Sequence, residues 1–210
     1  AEKQIIEIAA RIRAGQDLTS TPGTCILSKE LPADFIELPS HEAVSLSKEI
    51  FCDMQNLLTN RKNLAQKTGG RYVLQFKAPL YTSRDLDEYY ALPFTRDVPK
   101  ELRGFQFSVV THRGCIGDCN FCSLRLISGD KIISRSEQSI IREVTALTKH
   151  PNFRGNIDDL GGPSANMYGM DCNKCENSCI ECEQLDRSNK KLVSLLKKSR
   201  AIEGIKKVYI

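Results

Sequence analysis

Nine cysteines in 210 residues are spread unevenly. Cys115, Cys119 and Cys122 fall in a C-x3-C-x2-C pattern, and Cys172, Cys175, Cys179 and Cys182 in a C-x2-C-x3-C-x2-C pattern. Thiolates are soft ligands, and three of them converging select an iron–sulfur cluster or zinc. Structural zinc and ordinary ferredoxin clusters take four protein ligands, so three leave one iron of a cubane open to an exogenous ligand. Gly114 and Gly117 let the backbone wrap closely, because glycine tolerates positive φ and has no Cβ. Phe121, next to the last cysteine of the first group, supplies an aromatic wall.

The second group allows three readings: an auxiliary iron–sulfur cluster, a zinc ion, or thiols that are reduced or paired as disulfides. On a straight helix its first and last cysteines would lie about 15 Å apart along the axis, too far for one metal site. A shared site therefore demands a loop, which Gly169, Asp171, Asn173, Asn177 and Ser178 favour. The spacing is tighter than that of a zinc ribbon, whose cysteine pairs are separated by about 15–20 residues. Cys25 and Cys52 stand alone and are expected as small buried apolar side chains. His112, just before the first group, is placed to hydrogen-bond a sulfur, whereas His41 and His150 read as surface or capping residues. Arg113, Arg125 and Arg135 flank the first group and read equally as attracting an anion or as solvated surface residues. The lysines and arginines from Lys190 to Lys207 read as a solvated helix face, with RNA or an acidic partner as the alternative.

The elements that must position these residues follow from hydrophobic periodicity. Ile5, Ile6, Ile8, Ala9 and Ile12 make a first helix, and Cys25–Leu27 and Phe35–Leu38 two short strands. Ser40 caps a second helix with Val44, Ser47, Ile50, Phe51, Met54 and Leu58 on one face, broken by Gly69-Gly70. Arg71–Phe76 is a strand, and residues 78–104 are an irregular connector. From Phe105 the order becomes strand, cysteine loop, helix, strand, glycine turn, helix, strand. The strands are Phe105–Thr111, Gly155–Leu160 and Lys206–Ile210, and the helices start at Ser136 and about Ser188. Such alternation implies parallel βαβ units. Chemistry in these folds collects at the C-terminal ends of the strands, so the cysteine loop and Gly161-Gly162 should share one mouth. The expected fold is α/β, with a mixed N-terminal region over 1–104 and the first βα units of a partial TIM-type barrel over 105–210. Three strands do not close a barrel, so the chain reads as the first part of a larger one, needing the rest of the barrel as its partner.

Composition agrees. Apolar residues make up 40% and charged residues 27%, which suits a globular chain with a core and excludes a collagen-like or disordered one. A net charge of +4 is too small to argue for nucleic acid by itself. No apolar run is long enough to span a membrane, and no secretory signal is readable. A cytoplasmic, reducing location is expected, where cysteines serve metals or catalysis more than disulfides.

The segments HRGCIGDCNFCSL, SRSEQSIIREV and DLGGPSANMYGM resemble the YgiQ family of the radical S-adenosylmethionine (SAM) superfamily, and PGT, ELPSHEAV, RYVLQFKAPL and YYALPF extend the likeness upstream. The resemblance implies that Cys115, Cys119 and Cys122 hold a 4Fe–4S cluster whose open iron chelates SAM, that Phe121 lies near the adenine, and that Gly161 and Gly162 lie beside the SAM amine. Pro163 stands where an acidic residue is common in the superfamily. It further implies reductive cleavage of SAM to a 5′-deoxyadenosyl radical and a reductant such as ferredoxin or flavodoxin. Two other functions stay in competition: a non-catalytic iron–sulfur or zinc module for electron transfer or structure, and a radical SAM enzyme that modifies tRNA.

Overall fold

The computed structural model describes residues 2–58, 62–163, 166–172 and 179–210. The chain divides into two compact units, 1–80 and 81–210. Both are mixed α/β.

In the first unit α1 (Glu2–Arg13) precedes β1 (Cys25–Ser28) and β2 (Phe35–Leu38). Helices α2 (His41–Leu46) and α3 (Lys48–Leu58) then cross over to β3 (Asn63–Thr68), which turns back as β4 (Arg71–Gln75). The sheet order is β1-β4-β3-β2, with β2 and β3 parallel and the other pairs antiparallel. Leu38, Leu64, Ala65 and Leu74 are its buried residues.

Three expectations change here. The single helix expected after Ser40 is broken at Ser47, whose backbone is extended and whose Oγ accepts from the Ile50 N–H, so it caps a new helix. Gly69-Gly70 does not end that helix. Both glycines have positive φ and form the β3–β4 hairpin turn, a backbone that two-residue hairpins require. Cys25 and Cys52, expected buried, are both exposed. β1 is an edge strand with Cys25 on its outer face, and no residue of α3, which carries Cys52, is buried.

The second unit begins with α4 (Ser83–Tyr90), in the stretch read from sequence as a connector. Thr82 and Asp85 form a reciprocal capping box at its start. A 3-10 helix over Lys100–Phe105 occupies the end of the expected connector and takes Phe105, so the next strand starts at Ser108 instead. β5 (Ser108–Val110) and β6 (His112–Arg113) lead into the cysteine loop, which contains the short α5 (Leu124–Ser128) and returns as β7 (Ile133–Ser134). Then follow α6 (Glu137–Leu147), β8 (Asn156–Ile157), β9 (Asp159–Gly161), α7 (Lys190–Arg200) and β10 (Lys207–Val208).

β5 pairs with β9 and β8 with β10, both in parallel. The Leu160 N–H donates to Tyr209 O and the Tyr209 N–H to Ile157 O, so residues 156–161 lie between the other two strands. Val109, Ile157 and Leu160 pack with Ile140, Val144 and Leu147 of α6 and with Leu192 and Leu195 of α7. Alternate residues of a strand face opposite sides, so Ser108, Asp159 and Gly161 turn away from both helices. No helix of the described residues is long and apolar enough to cross a membrane.

Candidate metal centre

The first cysteine loop is pinched shut at its base. β6 and β7 pair antiparallel, Arg113 opposite Ile133 and His112 opposite Ser134. Immediately beyond, the Cys115 N–H donates to Gly129 O at 2.9 Å. Gly114 has φ +92°, and a Cβ on it would sit 1.9 Å from the backbone oxygen of Lys131. Only glycine permits this approach. At the loop's far end the Cys122 N–H donates to Cys119 O at 3.0 Å, making a tight turn through Phe121.

Within the loop, Cys115 is half-buried, and Cys119 and Cys122 are exposed. An ideal Cβ on Gly117 would lie 3.4 Å from Cys115 Sγ and 3.7 Å from Cys119 Sγ, so these two sulfurs flank the space that glycine leaves empty. Among the described residues, no three His, Cys, Asp or Glu side chains are gathered as a metal site. The donor set is nonetheless one a cluster can use: three soft thiols within a short loop of fixed base, two of them open to solvent. Phe121 is 92% exposed.

The glycine pair lies beside this loop. β5 and β9 run parallel with Val110 opposite Gly161, and the Thr111 N–H donates to Gly161 O at 2.6 Å. The loop and the Gly161-Gly162 turn thus leave the C-terminal ends of two hydrogen-bonded parallel strands. Both glycines are crowded. A Cβ on Gly162 would meet the His112 ring at 2.2–2.6 Å, and one on Gly161 would meet the Asp159 carboxylate oxygens at 3.0 and 3.2 Å.

His112 does not reach a sulfur in any described contact. It is wholly buried, Nδ1 lies 2.9 Å from Thr111 Oγ1, and Nε2 has no hydrogen-bond partner among the described residues. Burial pushes its pKa down to about 4, against the opposing pull of Asp171, so the ring is neutral at pH 7. Burial also raises the Asp159 carboxyl above its ordinary range.

The three arginines flagged beside the cluster loop are engaged elsewhere. Arg113 stacks on Tyr81 and Tyr90 at 5.3 and 5.5 Å. Arg125 pairs with Asp118 at 2.9 Å. Arg135 is buried, donating to Val110 O, to Ser139 Oγ and, at 2.5 Å, to Glu143, with Tyr90 4.4 Å beneath its guanidinium. Sequence reasoning missed this last role, which holds the end of β5 against α6 and α4. The signal was the S-x-x-S-x-x-x-E run after Arg135, placing Ser139 and Glu143 on one helical face.

The second cysteine group docks on the first loop. Ser134 N–H donates to Asp171 Oδ1 at 2.5 Å and Gly169 N–H to Ser134 Oγ at 2.9 Å, tying the 166–172 segment to β7. Cys179 is buried in one apolar cluster with Ile116 and Ile132 of the first loop, and Lys131 Nζ donates to its sulfur at 3.0 Å. Cys172 and Cys182 are half-buried, and the Cys182 N–H donates to Cys179 O in a turn rather than a helix. Cys175, with 173–178, lies outside the described residues.

Residues 1–109 match the family model described as Radical SAM N-terminal. The chain is 35% identical over 235 residues to a UPF0313 protein of Fusobacterium nucleatum, aligning all of this chain with 41% of that protein. A UPF0313 protein of Methanocaldococcus jannaschii is 38% identical over 227 residues, covering 97% of this chain and 38% of its own length. One from Methanocella arvoryzae is 35% identical over 239 residues, 100% of this chain and 40% of its own. The chain spans about two fifths of the length of these curated relatives.

Proposed function

From the chain's membership of the radical SAM superfamily, in its UPF0313 or YgiQ family, we propose that it carries the cofactor-binding part of an enzyme that reductively cleaves SAM. The observation that carries this reading is the pairing of β5 with β9, which brings a three-thiol loop and a bare glycine turn to one end of a parallel sheet. Cys115, Cys119 and Cys122 are the residues that would hold a 4Fe–4S cluster. Such a cluster would supply one electron, drawn from a reductant such as ferredoxin or flavodoxin, for reductive cleavage of SAM to methionine and a 5′-deoxyadenosyl radical.

The chain's own work is positioning. The β6–β7 base and the Gly114–Lys131 contact fix where the thiols start and end. Phe121, exposed between the last two cysteines, offers a face to a purine. Gly161 and Gly162 bring bare backbone to the strand end, with the His112 ring and the Asp159 carboxylate packed where side chains would otherwise stand. The parallel order of β5, β8–β9 and β10, with both helices on one face, supports the opening strands of a partial barrel. A cytoplasmic location suits oxygen-sensitive cluster chemistry.

The second cysteine group is assigned a second metal, with a cluster preferred to zinc for its compact spacing. The decisive experiment is on the first group. After anaerobic reconstitution, Cys119→Ser abolishes both the cluster's absorption and 5′-deoxyadenosine formation under reduction. Undiminished cleavage with a normal cluster in this variant rejects the assignment.

A further inference from the structure

Lys131 is only 8% exposed, and lysine is almost never buried unless it is paired. Its Nζ donates to Cys179 Sγ at 3.0 Å, and Cys179 is itself 7% exposed. A thiol sulfur is a weak acceptor, whereas a metal-bound thiolate carries charge and takes a charge-assisted hydrogen bond. The contact therefore suits Cys179 as a ligand better than as a plain thiol.

The surroundings of this pair point the same way. Cys172 follows Asp171, whose carboxylate accepts from the Ser134 N–H. The second group is thus held, at Asp171 and at Cys179, by one stretch where the first loop returns, residues 131–134. Ile132 lies within that stretch, 2% exposed, and shares an apolar cluster with Cys179 and Ile116. The Lys131 backbone meanwhile closes on Gly114, which anchors the residue to the base of the loop. A cation fixed in a dry setting acts on a neighbouring charge with little screening.

We propose that Lys131 is the counter-cation of the centre at the second cysteine group, and that its hydrogen bond to Cys179 raises that centre's reduction potential. This rests on the reading of that centre as an iron–sulfur cluster. Net charge, solvent exposure and hydrogen bonds to the sulfurs set the potential of such a cluster. Reduction adds one negative charge, so a nearby ammonium stabilises the reduced form more than the oxidised one. A residue of the first loop thereby makes the second centre easier to reduce.

Replacing Cys115, Cys119 and Cys122 by alanine in the full chain leaves the second group as the cluster to be read. After anaerobic reconstitution, a redox titration followed by electron paramagnetic resonance gives its midpoint. Lys131→Met keeps the apolar stem and removes the charge. At a fixed potential it should raise the ratio of oxidised to reduced cluster about tenfold or more, a downward shift of about 59 mV for one electron. Iron per chain should stay unchanged, and Lys131→Arg, which keeps a cation, should return the midpoint most of the way. A lysine that only packs would alter loading or Tm in these variants and leave the midpoint where it was. An unchanged midpoint in Lys131→Met at full iron content overturns the proposal, as does a shift that Lys131→Arg does not reverse. Should Lys131→Met load poorly, Lys131→Gln, equally neutral, is read in its place by the same criteria. Zinc or no metal in the parent, before any change at Lys131, overturns the reading of a second cluster and the proposal with it.

Discussion

At the scale of single residues, the imidazole of His112 states most about the site. It lies with no exposed surface against Gly162, and its neutral form is the one that burial permits. Its pKa falls from 6.5 to about 4 on folding. Between those values the unfolded chain takes up a proton that the folded chain refuses. Stability therefore rises with pH through this window and is lost as pH falls from 6.5 toward 4, by up to about 3 kcal/mol. Urea midpoints measured from pH 7 to pH 4.5 should show this slope in wild-type protein and a flatter one in His112→Gln. Equal slopes would mean that the ring is not buried in neutral form. The cysteines stood out as candidate ligands from residue type and spacing alone. The partners of His112 were not, because Gly162 lies 50 residues further along and meets it only through the β5–β9 pairing.

At the scale of elements, the cysteine loop depends on a contact that no local pattern announces. β6 and β7 are two residues each, too short and too polar for an alternating signal to stand out. Gly114 reads from sequence as a residue allowing close wrapping. The structure identifies what it wraps against, the backbone oxygen of Lys131. A backbone atom cannot swing aside as a flexible side chain can, so Gly114→Ala must part the base of the loop. The added strain of an alanine at φ +92° acts in the same direction. We expect this variant to fold with its core intact, since Gly114 lies outside the cluster built on Val109, Leu160 and α6. It should lose most of its capacity for iron, read as iron per chain after reconstitution, with far-UV circular dichroism close to wild type. Iron loading equal to wild type would show that the pinch is dispensable. Helices α6 and α7 were readable because each carries a buried stripe at helical period, and α6 has a serine cap as well. Helix α4 was masked by the prolines that follow it, although its Thr82–Asp85 capping box lies in plain sequence.

At the scale of the whole molecule, the two cysteine groups form one assembly. Lys131 closes the first loop through its backbone and reaches Cys179 of the second group through its side chain. Ile116, beside Cys115, shares a buried apolar cluster with Cys179, Met167 and Met170. The sequence separation of these groups hid this, because neither periodicity nor spacing brings residue 116 to residue 179. A metal bound at the second group would therefore brace the first loop, since ligand binding and local folding are one equilibrium in such sites. Metal counting separates the possible occupants. Two cubanes require about eight irons per chain, whereas one cubane with a structural zinc gives about four irons and one zinc. We expect the iron-rich result, and Cys179→Ser should reduce it to about four while leaving Cys115, Cys119 and Cys122 loaded. The same variant should lower the temperature at which the remaining cluster's absorption is lost, because the brace on Ile116 and Lys131 is gone. A full complement of iron in Cys179→Ser, bleaching at the wild-type temperature, would leave Cys179 as a packed thiol and the second group without a metal that depends on it.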